Sequence, residues 1–177
     1  MNTDPSTATQ GTDPWLTPGE YQTWRAFLDG TRAVFQALEQ QLQAEAGMPL
    51  AYYDVLVRLS EAPDRSLRMV TLAKALDYST SRLSHAIDRL ERSGWVRRES
   101  HPSDRRGQVA VLTDVGFAAL EAAAPGHVAA VRAHVLDPLT AEQVEQLGVI
   151  SERLLAAATA SSLDAPGTRL AADRRLR

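Results

Sequence analysis

The stretch VTLAKALDYSTSRLSHAIDRLERSG, residues 70–94, is the most informative part of the chain. Its apolar residues recur every three or four positions, which predicts a short helix over 70–76 and a longer helix over 80–93. Only residues 77–79 separate the two helices. Gly94 follows at the place where a left-handed residue closes the last turn of a helix. Two helices joined by so short a turn are typical of a helix-turn-helix unit.

A basic hairpin is predicted directly after the second helix. Residues 95–100 and 108–112 are short runs that contain β-branched side chains, and the intervening HPSDRRG is rich in turn-forming residues. We therefore expect two strands joined by a long loop whose tip projects Arg105 and Arg106. Asp104 is placed to brace Arg106 through a charge-assisted hydrogen bond. A hairpin that follows a helix pair in this way indicates a winged helix-turn-helix within a mainly α-helical fold.

The outer face of the longer helix is polar and rich in hydrogen-bond donors. Its inward stripe is Leu83, Ala86, Ile87 and Leu90, so a period of 3.6 residues places polar side chains opposite, among them Ser81, His85, Asp88 and Arg92. Arginine can donate two hydrogen bonds to guanine, serine and histidine can reach base edges or phosphates, and the helix start favours an anion. An ordinary solvated helix face is the alternative interpretation. The predicted DNA-contacting residues are Ser79, Thr80, Ser81, Arg82, Ser84, His85, Arg89, Arg105 and Arg106.

The charge of the chain is unevenly distributed. The formal net charge of −3 over 177 residues taken alone argues against a nucleic-acid partner. However, residues 65–108 contain ten Lys or Arg and five Asp or Glu, whereas the remainder contains nine and seventeen. A basic module within an acidic chain fits a DNA-binding unit that is carried on a separate dimerisation and ligand-binding region. A solvated charge run is the alternative for the arginines of the hairpin.

The flanking sequence predicts long helices for dimerisation. Helices are expected over 17–46 and 114–159, with a bend near Pro125, on either side of a winged unit at about 50–112. Thr17, Pro18 and Glu20 form a capping-box signal at the first start. The first helix carries more large apolar residues than a solitary helix needs, and the last helix adds Leu147, Ile150 and Leu154, so we expect a homodimer. Residues 1–14 and 161–177 have the composition of disordered tails.

Composition excludes several classes of function. The chain has no Cys, so it has no disulfide, thiol sensor or thiolate metal site. Neither a membrane span nor a signal peptide is evident, and a cytoplasmic protein is expected. The four His show no metal-ligand spacing, and the sequence contains no nucleophile elbow, phosphate loop or dinucleotide fingerprint. We therefore predict no enzyme activity, no metal and no cofactor.

Several short motifs within residues 15–158 occur together in one known family. They are Leu72-Ala73, Asp88-Arg89-Leu90, Gly94-Trp95-Val96, and the run from Asp104-Arg105-Arg106 to Leu112-Thr113 and Gly116. With these motifs the sequence resembles the MarR family of bacterial transcription regulators. Members that sense oxidants through a cysteine have no counterpart here, because the chain lacks Cys.

The resemblance implies a homodimer that binds a pseudo-palindromic operator in double-stranded DNA. The helix over 80–93 would read the major groove, and the wing arginine Arg106 would enter the minor groove. The resemblance also implies release by a small aromatic or lipophilic effector, for which Trp24, Tyr52 and Tyr53 are candidate lining residues, with core packing as the alternative role. We expect a repressor. The competing hypothesis is a winged-helix module that binds proteins without sequence-specific DNA binding.

Overall fold

The computed structural model describes residues 15–101 and 104–163, without the side chains of residues 101, 104–106 and 161–163. The expectations for residues 1–14 and 164–177 therefore concern segments outside the described residues. The chain divides into two compact units after residue 127. The elements are α1 (Pro18–Ala46), α2 (Leu50–Ser60), a 3₁₀ turn (Pro63–Arg65), β1 (Ser66–Arg68), α3 (Met69–Ala75), α4 (Thr80–Arg92), β2 (Val96–His101), β3 (Asp104–Leu112), α5 (Asp114–Val131), a π turn (Arg132–Leu136) and α6 (Ala141–Leu163).

Local capping signals fix the ends of α1. The Oγ1 of Thr17 accepts a hydrogen bond from the amide of Glu20 at 3.3 Å, and the Glu20 carboxylate accepts one from the Thr17 amide at 2.8 Å. These reciprocal bonds satisfy amides that the first turn leaves without partners. They also hold the pKa of Glu20 below its ordinary value. At the other end Gly47 adopts φ 59°, a left-handed conformation that favours glycine. The predicted start and end of α1 are confirmed.

The helix-turn-helix consists of α3 and α4. The hydroxyl of Ser79 caps α4 by accepting a hydrogen bond from the amide of Arg82 at 3.2 Å. At the far end Gly94 has φ 72°, its amide donates to the Glu91 carbonyl, and the amide of Trp95 donates to the Leu90 carbonyl, both at 2.9 Å. This pair of bonds is a Schellman motif, so the predicted role of Gly94 is confirmed. The predicted inward stripe of α4 is buried.

A three-stranded antiparallel sheet in the order β1-β3-β2 forms the wing. The expected long loop at 101–107 is wrong, because β3 begins at Asp104 and pairs with β2 up to His101. Once the strands have paired between Val96 and Leu112, each further residue pair closes only a short loop, at a small entropic cost. Strand β3 therefore includes Asp104 and Gly107, which were expected in the loop. Arg105 and Arg106 therefore lie on a strand.

The junction between the wing and α5 is close-packed. The Oγ1 of Thr113 donates to the Gly94 carbonyl at 2.7 Å and accepts from the Gly116 amide at 3.0 Å. A Cβ at Gly116 would clash with the carbonyl oxygen of Trp95, so only glycine fits there. These contacts fix the start of α5 beneath the end of α4. The surrounding core is built from buried apolar residues of α1 to α5 and the sheet.

The second unit begins within α5. Helix α5 continues through Pro125, and the departure from α-helical hydrogen bonding comes at the π turn, Arg132–Leu136. Thr140 and Gln143 form a second reciprocal cap, with the Gln143 amide donating to the Thr140 hydroxyl at 3.2 Å. Helix α6 extends to Leu163, so the first three residues of the expected C-terminal tail are helical.

Candidate nucleic-acid interface

The outer face of α4 presents most of the predicted DNA-contacting side chains to solvent. Ser79, at the N-cap, bonds the Ser81 hydroxyl at 3.2 Å, which leaves both hydroxyls at the start of the helix. Ser84 is only half-buried because it faces a groove of about 490 Å³ beside β3. The exposed members of the predicted set are Ser79, Thr80, Ser81, Arg82, His85 and Arg89.

Arg98 of β2 ties the wing to α4, and the sequence prediction missed it. Its Nη1 lies 2.6 Å from a carboxylate oxygen of Asp88 and 2.6 Å from one of Glu91, while Nη2 donates to the carbonyl of Ser84 at 3.1 Å. The Arg98 side chain is 20% exposed, so these charge-assisted bonds are partly shielded from water. The sequence signal that could have revealed this contact is the spacing of Asp88 and Glu91, three residues apart on a helix, followed by Arg98 on the next strand.

This network changes the charge that α4 presents. Asp88, which the sequence places on the outer face, pairs with Arg98, and Glu91 does the same. Within the described part of the chain, no carboxylate forms an ion pair with the three arginines that follow one side of α4. Those arginines are Arg82, Arg89 and Arg92. Both carboxylates of α4 are thus paired with Arg98, and the charged groups of α4 without an ion-pair partner among the described residues are the three arginines.

The three arginines border a cleft of about 420 Å³. His85 adds a further nitrogen-bearing ring, and Tyr52 and Tyr78 supply aromatic surface. The guanidinium carbon of Arg82 lies 4.0 Å from the centroid of the Tyr78 ring, a cation–π distance. Tyr78 was not among the predicted site residues, although it lies four positions before Arg82.

The wing arginines have a described backbone but no described side chains. Asp104, Arg105 and Arg106 lie at the start of β3, beyond a register irregularity between Ser100 and His101. The predicted contact between Asp104 and Arg106 involves side chains that are not among those described. It therefore stays a prediction.

The three candidate effector residues lie in different surroundings. Trp24 stacks with Phe27 at a centroid distance of 6.0 Å and is 48% exposed, Tyr52 borders the cleft beside α4, and Tyr53 is buried. The Tyr53 ring lies 4.4 Å from that of His127 on α5. The role of these residues in effector binding stays a prediction.

A small titratable cluster surrounds His127. Burial lowers the pKa of His127, with Asp54 acting in the opposite direction, and burial raises the pKa of Asp54. The pKa of Tyr53 is also raised by burial. No group of three or more His, Cys, Asp or Glu in the described residues is arranged to hold a metal ion. None of the described helices has the length and apolar character of a membrane span.

A helix-turn-helix followed by an antiparallel wing defines a winged helix-turn-helix protein. The MarR family model matches residues 46–107. The structure of Sco3205 from Streptomyces coelicolor, a MarR family transcriptional regulator in complex with DNA, is 51% identical with a TM-score of 0.78, over 82% of this chain and 94% of that chain. AbsC, a MarR family transcriptional regulator from the same organism, is 42% identical with a TM-score of 0.75, over 81% of this chain and 99% of that chain.

A curated relative agrees with these structures. The HTH-type transcriptional repressor YetL of Bacillus subtilis is 29% identical over 140 residues, which span 77% of this chain and 83% of the relative. The chain belongs to the MarR family of transcriptional regulators. The resemblance seen in the sequence is thereby confirmed.

Proposed function

We propose that this protein is a sequence-specific DNA-binding transcriptional repressor that binds a pseudo-palindromic operator as a homodimer. The observation that carries the proposal is the outward face of α4, where Arg82, Arg89 and Arg92 form no ion pairs within the described residues, while Arg98 neutralises Asp88 and Glu91. Likeness to Sco3205, solved in complex with DNA, and to the repressor YetL supports it. The protein acts in this proposal by binding and not by catalysis.

The geometry matches what a major-groove reader needs. A helix carrying Ser and Arg side chains on an exposed face, with its N-terminus capped by Ser79, can present hydroxyls, amides and guanidinium donors to bases and phosphates. The Arg98 network holds β2 against α4, so the wing and the helix would approach DNA as one rigid unit. Rigid placement reduces the ordering cost of binding.

The homodimer follows from apolar surface that one chain leaves exposed. Helix α1 exposes Tyr21, Trp24, Phe27 and Phe35, each at 48–57% of its surface, and exposed aromatic rows of this kind mark interfaces. In the second unit, α6 exposes Leu147, Ile150 and Leu154. A two-fold dimer would carry two copies of α4 and read two half-sites about one DNA turn apart.

Titration of labelled DNA from the region upstream of the protein's own gene tests the proposal. We expect binding that weakens steeply with salt, because arginines that contact phosphates release counterions. The double variant Arg105→Ala with Arg106→Ala is expected to lower affinity and to flatten the salt dependence. The control Arg58→Ala removes an exposed arginine of α2, outside the α4 face and the aromatic side of α1, and should leave both unchanged. Equal binding to unrelated DNA of the same length would contradict sequence-specific recognition.

A further inference from the structure

Tyr78 lies in the turn between α3 and α4 and is packed against the core on one side. On its other side it meets the side chain of Arg82, whose Cζ is 4.0 Å from the ring centroid. The backbone of Arg82 is held as well, because its amide donates to the hydroxyl of the capping residue Ser79 at 3.2 Å. Both the main chain and the side chain of Arg82 are therefore fixed by the turn that precedes α4.

The contact leaves the hydrogen-bonding capacity of Arg82 available. A guanidinium group has five N–H donors, and the contact with the Tyr78 ring and phenol occupies only part of them, which leaves a fork of two donors for another partner. Among the described residues, Arg82 has no carboxylate partner in an ion pair. It is also in the first turn of α4, where a recognition helix contacts base edges. Such a fork matches O6 and N7 of guanine.

Arg89 provides an internal comparison. It borders the same cleft and is exposed on the same helix, but no ring contact is found for it in the described structure. An arginine without such a contact keeps its rotamer freedom in the free protein and loses this side-chain entropy on binding DNA. Arg82 has already lost much of this entropy when the protein folds. The two arginines are therefore expected to differ in role. Arg89 suits phosphates, which accept donors from many directions, and Arg82 suits a base edge.

We propose that Tyr78 is a positioning residue that holds Arg82 for recognition of a guanine in the major groove. This inference rests on the proposed function as a DNA-binding regulator. Burial raises the pKa of the Tyr78 phenol, with Arg82 acting in the opposite direction, so the ring meets Arg82 as a neutral group near physiological pH. The Cζ of Arg82 lies over the ring of Tyr78, and a phenylalanine ring offers the same face. We therefore expect phenylalanine at position 78 to keep most of the contact and leucine to lose it.

The first test is made on the full chain without DNA. In NMR spectra, the ring current of Tyr78 should shift the δ-methylene protons and Hε of Arg82 upfield. Tyr78→Phe should keep the shift, and Tyr78→Leu should abolish it. An Arg82 signal that is identical in the wild type and in Tyr78→Leu would overturn the proposal, whatever the protein binds.

The second test compares operator variants in which each G·C pair of a half-site is replaced in turn. Arg82→Ala identifies the guanine that Arg82 contacts, because replacing that base pair no longer weakens binding of this variant. Tyr78→Leu should reduce discrimination at the same base pair by about two- to five-fold, the size expected of one exposed cation–π contact. Tyr78→Phe should stay within about two-fold of the wild type, and Tyr78→Leu should have no further effect in the Arg82→Ala background.

Two controls separate positioning from a loss of structure. Phe117→Leu removes a ring contact outside this cleft, where the Arg65 Cζ lies 3.7 Å from the Phe117 ring centroid, and should leave discrimination unchanged. Arg82→Lys keeps the charge but loses the planar fork, so it should lose discrimination while keeping the salt dependence, even if Tyr78→Leu fails to fold. Discrimination that a folded Tyr78→Leu variant preserves overturns the proposal. If Tyr78→Leu does not fold, discrimination that Arg82→Lys preserves overturns it. Wild-type protein that shows no salt-dependent DNA binding instead overturns the proposed function, together with the guanine assignment.

Discussion

The outer face of α4 and the aromatic side of α1 are both exposed in a single chain, but the exposed groups are of opposite kinds. Helix α4 presents arginines whose neighbouring carboxylates are paired with Arg98. Helix α1 presents rings such as Tyr21 and Phe35, more than half exposed. The first surface fits a polyanion and the second an apolar partner, so salt and apolar contact should act on them separately. The protein is thus expected to assemble through one face and to bind DNA through the other.

The largest effect is expected from charges placed on the aromatic side of α1. Replacing Phe27 and Phe35 together by Glu would force two unpaired carboxylates from each chain into an apolar interface, which weakens dimerisation by about a thousand-fold or more. Light scattering after gel filtration measures the change. DNA binding should fall with it, because a monomer reaches one half-site.

Gln40→Glu is the matched control for this prediction. Gln40 is an exposed polar residue of the same helix, so a charge there should leave the dimer intact. A dimer that survives the double Phe replacement would show that the aromatic side of α1 is not the interface.

The next largest effect is expected from salt, which should weaken DNA binding by the α4 face but not dimerisation through α1. Raising the salt concentration from about 50 mM to about 200 mM should weaken operator binding by about a hundred-fold or more, if the dimer makes at least about four phosphate contacts. The same change should leave the dimer intact, because apolar burial is not screened by ions. Fluorescence anisotropy and analytical ultracentrifugation measure the two quantities on the same samples. A dimer that dissociates with salt as steeply as the DNA complex would remove the distinction between the faces.

Sequence reasoning succeeded where the cause is local. The hydroxyl of Thr17 and the left-handed Gly94 act within one helical turn, and both ends are found where the pattern predicts them. It failed where the cause is a contact between elements. Nothing in the period of α4 shows that Asp88 turns toward Arg98, ten residues away on a strand, and the start of β3 depends on ladder pairing that turn residues do not reveal.

The contact between Tyr78 and Arg82 was missed for a related reason. The two residues are four positions apart, but the first lies in a turn outside the helix, so a helical period does not apply to the pair. Their contact depends on how the turn is packed against the core. The class of protein and the exposed polar face of α4 could be predicted from patterns, whereas the contacts that shape this face required the structure.

Removing Arg98 should destabilise the packing of β2 against α4 without touching α1. Arg98→Met leaves Asp88 and Glu91 without their partner, and because all three side chains retain some exposure we expect a loss of about 1–2 kcal/mol in the free energy of unfolding. Urea denaturation at a fixed protein concentration measures it. Arg97→Met is the matched control on the same strand. Its pair with Glu99 is about half exposed, so its loss should cost less than about 0.5 kcal/mol, and equal losses for both variants would contradict the role of Arg98.

The smallest effect concerns pH and the ring pair of Tyr53 and His127. Burial lowers the pKa of His127 in the folded protein, so the unfolded chain binds the proton more readily. The contribution of His127 is therefore fully present above the unfolded pKa of about 6.5 and is lost as the pH falls through that value toward the folded pKa. Because the ring is partly exposed, the change between about pH 8 and about pH 5 should be only a few tenths of a kcal/mol.

The variant His127→Gln isolates this contribution. It removes the titrating ring while Asp54 and Tyr53 stay in place, so the difference in unfolding free energy between variant and wild type should shrink as the pH falls from about 8 to about 5. Asp54 has a pKa raised by burial, and its own stabilising effect appears at lower pH, when its carboxyl group is protonated. A difference that grows toward low pH would mean that Asp54 stabilises the protonated ring more than burial opposes it, and the sign of the His127 prediction would then be wrong.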